Sequence, residues 1–175
     1  LVLRHCTTTY EAVELMTRYN IYWGPCNCVV GDAAGRGALI EKSKYHYAVK
    51  MSDRGVLIST YGGCDDEDMR RLTDTTTPLF RYYQRRLGVM KEIVAEAGTN
   101  LSLDLFWKAL LHHDPQAPGC QHRETRPPGV ELFHVGGFVL LPGEGRYLKR
   151  IIAWENGTLR YACSNTPVEA HYSFS

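Results

Sequence analysis

The chain has 175 residues, a net charge of +1, and 44% hydrophobic and 11% aromatic residues. That length supports one domain with a workable core, taken as residues 1–175. The neutral balance excludes the basic stripe of a nucleic-acid surface, and no apolar run approaches the roughly 20 residues of a membrane-spanning helix.

Leu1 to Cys6 is too short and too polar for a signal peptide. With no initiator Met and a helix cap following at once, the start reads as a cut through a longer gene. Thr8 with Glu11 three residues later makes a capping box. Ala12, Val13, Leu15 and Met16 then predict a helix over 9–19, closed by Gly24-Pro25. Strands are predicted at 26–31, 37–42, 45–51 and 55–60, a meander separated by the turn at 32–36, the segment 42–44 and the turn 52–55. Asp32 reads as a turn former whose carboxylate accepts backbone N–H groups before Gly35. Gly62-Gly63 breaks the last of these strands.

A short helix is predicted over 65–72, with acids first and arginines last, as the macrodipole favours. Thr77-Pro78 opens a longer helix to Gly98, with Leu79, Tyr82, Tyr83, Leu87, Met90, Ile93 and Val94 near helical spacing. Tyr82 and Tyr83 read as core aromatics. Arg70, Arg71, Arg81, Arg85 and Arg86 read mostly as a solvated helix face, one of which could meet a substrate carboxylate. Ser102 and Asp104 start a further helix with Leu103, Leu105, Phe106, Ala109 and Leu110 apolar. The Pro- and Gly-rich segment 116–129 reads as an ordered loop. Strands resume at 131–141, 146–154 and 158–164, with Asn156-Gly157 as a two-residue hairpin turn. Strand runs and helix runs are segregated, so the class is α+β.

Six cysteines stand at 6, 26, 28, 64, 120 and 163. Cys26 and Cys28 face the same way on one strand, and the set reads as thiols in a reducing, cytoplasmic setting. Asn100-Leu101-Ser102 and Asn156-Gly157-Thr158 match the glycosylation pattern, which is frequent by chance.

Four blocks carry a resemblance. They are the helix and hairpin of 9–41; the strand 55–60 with the reversal and the helix carrying Met69-Arg70; His113-Asp114 followed by Pro118, Cys120 and His122; and the ending Leu159-Arg160-Tyr161-Ala162, Asn165-Thr166-Pro167, Tyr172-Ser173-Phe174. In that order they resemble the N-terminal-nucleophile cysteine amide hydrolases of the choloylglycine hydrolase and acyl-coenzyme A:6-aminopenicillanic acid acyltransferase type. The resemblance implies a four-layer αββα sandwich of which this chain supplies the C-terminal part. It implies cleavage or formation of linear carbon–nitrogen amide bonds by an N-terminal Cys upstream of Leu1, with its own α-amino group as base and no external cofactor. This chain alone would then be inactive. Its partners would be the N-terminal part of the same enzyme and a small amide or acyl substrate. An exposed sheet edge would favour a homo-oligomer.

Family members commonly place an Asn after the third strand as an oxyanion donor; here Tyr61-Gly62 follows Thr60. Tyr61 is therefore the first candidate for that donor, with Thr60 beside it and Asn27 inside the first strand. Their plainer readings are a packing aromatic at a turn and two strand residues. Gln121 and Val168 replace an Arg and a Cys usual in the family. From the residues alone, His113, Asp114 and Cys120 could be drawn as a triad, but they crowd into one loop. His112, His113, Asp114, Cys120 and His122 are all zinc-capable, at no standard spacing. The rival to the amidase is accordingly a non-catalytic interaction module with a structural metal at the loop 112–122. An inactive family member is the third reading.

Overall fold

The computed structural model describes residues 2–19, 26–53, 56–60 and 62–112, and the backbone of the strands within 136–171. Two compact units divide the chain at Gly88 and Val89. In the first, α1 (Val2–His5) precedes α2 (Thr9–Arg18), then β1 (Cys26–Gly31), β2 (Gly37–Lys42), β3 (Tyr47–Ser52) and α3 (Glu67–Arg71). α4 (Pro78–Ala97) runs from the first unit into the second, followed by α5 (Leu103–Leu110). Next come β4 (Gly136–Leu141), β5 (Arg146–Ile151), β6 (Ala153–Glu155), β7 (Thr158–Arg160) and β8 (Val168–His171). The class is α+β, as the segregated pattern predicts.

β1, β2 and β3 form an antiparallel sheet in sequence order. Asn27 lies opposite Glu41, Cys28 opposite Ile40, and Leu39 opposite Lys50. Every residue of β2 from Ala38 to Lys42 is buried, so the central strand is covered on both faces. Alternation gives those faces different tasks. Lys42 reaches α2, where its Nζ donates to the carbonyls of Met16 and Tyr19 at 2.8 Å each. Glu41 reaches the turn at residues 65–66 on the other side.

α2 begins on the predicted capping box. The Thr8 hydroxyl accepts from Glu11 N at 3.2 Å, and the Glu11 carboxylate accepts from Thr8 N at 3.0 Å and Thr7 N at 2.7 Å. These N–H donors, Thr7 foremost, lower the Glu11 pKa. Lys42 satisfies carbonyls at the far end, where a cation suits the helix dipole. At its start the Thr9 hydroxyl donates to the Arg36 carbonyl at 2.9 Å, so the helix is tied to the hairpin at both ends.

The strand expected at 55–60 is corrected: residues 56–60 belong to no strand. A short apolar run such as Val56-Leu57-Ile58 specifies burial but not a ladder partner. Here the Thr60 carbonyl is taken by a side chain, Asn27 Nδ2. The third strand starts two residues later than predicted, at Tyr47.

The long helix follows expectation, and Gly98 ends it in the left-handed region at φ 57°. Its buried stripe is shifted, with Phe80 inside and Leu79 44% exposed. Tyr82 and Tyr83 are buried and stack edge to face at 5.3 Å. Arg86, read as solvated, is buried at 9% exposure. α5 starts on the Ser102 hydroxyl, which accepts from Leu105 N. Trp107 is its buried aromatic, packed by Leu103, Leu110 and Leu111, while Phe106 is 42% exposed.

In the second unit, β4, β5 and β8 form an antiparallel sheet in that order, and β6 pairs with β7. Glu155 lies opposite Thr158, which leaves the two-residue connection that Asn156-Gly157 predicts. The strand expected over 146–154 is two strands, β5 and β6. β8 lies where the sequence predicts no strand, and it pairs Val168 with Lys149 and His171 with Arg146. Residues 113–135 lie outside the described residues. No helix among the described residues is long and apolar enough to cross a membrane.

Candidate functional site

Of the three candidates, two come together. Asn27 on β1 and Thr60 at the end of 56–60 meet through Asn27 Nδ2, which donates to the carbonyl of Thr60 at 2.9 Å and of Gly63 at 2.5 Å. Both amide hydrogens of Asn27 are therefore committed to the chain reversal that follows residue 60. Thr60 is buried at 6% exposure. Its hydroxyl donates to the Tyr83 carbonyl at 3.3 Å and accepts from Gly63 N at 3.2 Å. In this geometry Asn27 and Thr60 hold backbone. Tyr61 lies outside the described residues.

The reversal packs hard against α4. A Cβ on Gly62 would meet Tyr83 Cδ2 at 2.8 Å. A Cβ on Gly63 would meet the Thr60 hydroxyl at 2.5 Å and the Tyr83 carbonyl at 3.0 Å. The glycines therefore serve close approach as well as ending a strand. Beyond them, Cys64 N donates to Gln84 Oε1 at 3.0 Å, and Gln84 Nε2 donates back to the Cys64 carbonyl at 3.1 Å. Arg70 adds a second donor to that carbonyl at 3.2 Å. Burial raises the Cys64 thiol pKa, so this sulfur is no ready nucleophile.

Glu41 completes the arrangement. It is 2% exposed, and its two carboxylate oxygens accept from Asp65 N at 2.5 Å and Asp66 N at 2.9 Å. Asp66 in turn caps α3, its carboxylate accepting from Met69 N at 2.9 Å. Asp65 pairs with Lys50 of β3 at 3.0 Å. A cleft of about 360 Å³ opens beside these residues, floored by Leu39, Ala48 and Val49.

A second knot joins the β1–β2 turn to α2. Asp32 accepts from Ala34 N at 3.0 Å and Arg36 N at 3.2 Å, the turn role read from the sequence. It also accepts from Thr9 N at 3.0 Å and Arg36 Nε at 3.1 Å. Thr9 N above all lowers the Asp32 pKa, to about 2. The guanidinium of Arg36 lies 5.3 Å above the Tyr10 ring. Gly35 takes φ 82° within the turn. Every acceptor contact of Asp32 is structural, and nothing here resembles a catalytic carboxylate.

Among the described residues no group of three or more His, Cys, Asp and Glu side chains is placed to hold a metal. Of the residues of the triad and zinc readings, His112 is described, with its Nδ1 buried, while His113, Asp114, Cys120 and His122 lie outside the described residues together with Gln121. The sequence pattern marks Gly63 only as a strand breaker and does not mark Glu41 or Gln84 as site residues. Only the acid ending the second apolar run hinted at Glu41.

No family model, curated protein or solved structure matches the chain.

Proposed function

We propose that this chain is the C-terminal part of an N-terminal-nucleophile cysteine amidase or acyltransferase, with the four-layer αββα architecture completed by the preceding part of the same enzyme. The observation that carries the reading is the reversal at residue 60. Two side chains of adjacent strands, Asn27 and Glu41, hold it against the sheet, at the place where the resemblance puts an oxyanion donor. A donor helps only if it needs no reorganisation as charge develops, and a turn tied by side chains from two strands meets that requirement.

In this reading the upstream Cys thiolate attacks the carbonyl of a linear amide or acyl donor. That thiolate forms when its own α-amino group takes the thiol proton, which passes to the leaving amine as the amide C–N bond breaks; an α-amine has a reference pKa of about 7.7–8.0, suited to a base near neutrality. Tyr61 offers its hydroxyl to the oxyanion, and Asn27 and Thr60 keep the flanking backbone in place. The acyl-enzyme is then resolved by water or by an amine. The enzyme works in the cytoplasm and needs no external cofactor.

The test is the N-terminal sequence and intact mass of what accumulates when the complete gene is expressed. A mature chain that begins with Cys and contains this segment supports the reading. A chain beginning at Leu1, with no Cys-initiated partner copurifying, overturns it.

A further inference from the structure

We propose that Glu41 is a positioning residue for the reversal after residue 60, setting where residues 62–66 sit against the sheet and, through them, turnover at the site proposed above. The kinetic half of this proposal rests on the amide-bond reading above; the structural half does not.

Glu41 is an unusual occupant for the central strand of a small sheet. A buried carboxylate is costly unless its lone pairs are taken by donors. Here no guanidinium or ammonium approaches it within ion-pair distance among the described residues. Its donors are two consecutive backbone N–H groups, Asp65 and Asp66. An apolar residue at position 41 would bury equally well but would leave both N–H groups unpaired beside the sheet. The carboxylate therefore does what a ladder strand cannot. It accepts from two successive N–H groups of a turn, whereas successive N–H groups of a strand point to opposite edges. It also stands directly across from Asn27, which holds the Thr60 and Gly63 carbonyls. One side chain takes the donors of the reversal and its cross-strand neighbour takes the acceptors. The segment is gripped by complementary chemistry from a single cross-strand pair.

The grip is separable from the rest of the fold. Gln84 and Arg70 hold Cys64, and Lys50 holds the Asp65 carboxylate; none of these touches the 65 and 66 N–H groups. Glu41→Gln keeps the volume but turns one acceptor into a donor facing an N–H. It should release one end of the reversal while β1–β3 stays paired.

The experiment uses the complete gene product. Residue-resolved hydrogen exchange compares wild type with E41Q at Asp65 and Asp66, with the β1–β2 ladder amides as internal reference. Loss of a charge-assisted hydrogen bond predicts about 10- to 100-fold faster exchange at 65 and 66 with the ladder unchanged. Equal acceleration of the ladder, or no change at 65 and 66, overturns the proposal. Steady-state kinetics on a linear amide then predicts kcat down about 10-fold with KM within about twofold, the signature of lost transition-state positioning. Faster exchange with an unchanged kcat also overturns it. A wild-type enzyme with no amide turnover overturns the amide-bond reading and the kinetic half together, while the exchange contrast still decides the structural half.

A second pair of variants leaves Glu41 intact. Asp66 has φ −75°, which proline accepts. Asp66→Ala loses the α3 cap but keeps the N–H, and Asp66→Pro loses both. A kcat for D66P below that of D66A by about 10-fold supports the role of the N–H to Glu41. Equal values contradict it.

Discussion

The α2–hairpin junction and the 60–66 reversal both fasten a loop to the same sheet, and they do it with different chemistry. At the junction, one carboxylate with 5% of its side chain exposed, Asp32, gathers three backbone N–H groups and a guanidinium at the edge of the sheet. At the reversal, the work is divided between an amide, a hydroxyl, two glycines and a carboxylate drawn from β1, β2 and the reversal itself, with α4 behind it. The first knot is largely local and electrostatic. The second is non-local and steric. The difference teaches where each is vulnerable: acid should loosen the first, and added volume or a lost amide should break the second.

The largest effect is expected from Gly63→Ala. The new methyl would press on the Thr60 hydroxyl and on the Tyr83 backbone, which cannot swing aside. Overpacking of this kind costs about 2–3 kcal/mol. Urea unfolding of the complete protein should show the loss as a lower midpoint with unchanged slope. Gly35→Ala, strained at φ 82° but with open space around it, should cost less. If the two substitutions cost the same, close approach is not what demands glycine at 63.

Asn27→Ala comes next. It leaves the carbonyls of Thr60 and Gly63 without their side-chain donor. The expected cost is about 2 kcal/mol. Denaturant titration measures it, and a cost near zero would mean that the reversal holds itself.

Asp32 sharpens the contrast through pH. Its pKa is lowered from 3.8 to about 2, first by the N–H of Thr9. The charged form is favoured in the folded state, so its contribution is fully present above about pH 4. It is lost as pH falls through 3.8 towards 2. Asp32→Asn should flatten the stability curve in that window and leave it parallel to wild type above it. Thermal melts from pH 2 to pH 6 report this directly. An unchanged acid limb would assign acid sensitivity elsewhere.

The smallest effect is expected from Arg71→Ala on α3. Arg71 pairs with Glu67 and Asp68, but all three side chains are at least 70% exposed. Such pairs contribute less than about 0.5 kcal/mol, and less again at high salt. A melt within about 2 °C of wild type is expected.

Much of the first knot was legible in the sequence because its signals are local. Thr8 and Glu11 sit three apart, and Asp32 stands two and four residues before the N–H groups it binds in the turn. What the sequence withheld was Thr9 N, 23 residues away, as the strongest influence on Asp32. The second knot was legible only in part. Gly62 and Gly63 announced a break, but that Tyr83 makes them necessary follows from the packing of α4. Asn27 and Thr60 are separate candidates in the sequence, and that they meet, through a backbone carbonyl, is something no side-chain pattern encodes. Glu41 looked like the polar end of a strand. Its partners are main-chain N–H groups, which every residue but proline carries, so composition gives no sign of them. The missing strand at 56–60 has the same origin, since the apolar run Val56-Leu57-Ile58 predicts burial and leaves the hydrogen-bond partner open.

The central claim is that this segment belongs to a cysteine-initiated amide-bond enzyme. Its most direct test is steady-state turnover of a panel of linear amides by the complete gene product, with and without replacement of the N-terminal cysteine by alanine. The account predicts turnover of at least one amide by the unaltered enzyme and its loss in the alanine form. Equal rates from both forms, or no turnover of any amide by the unaltered protein, would contradict it.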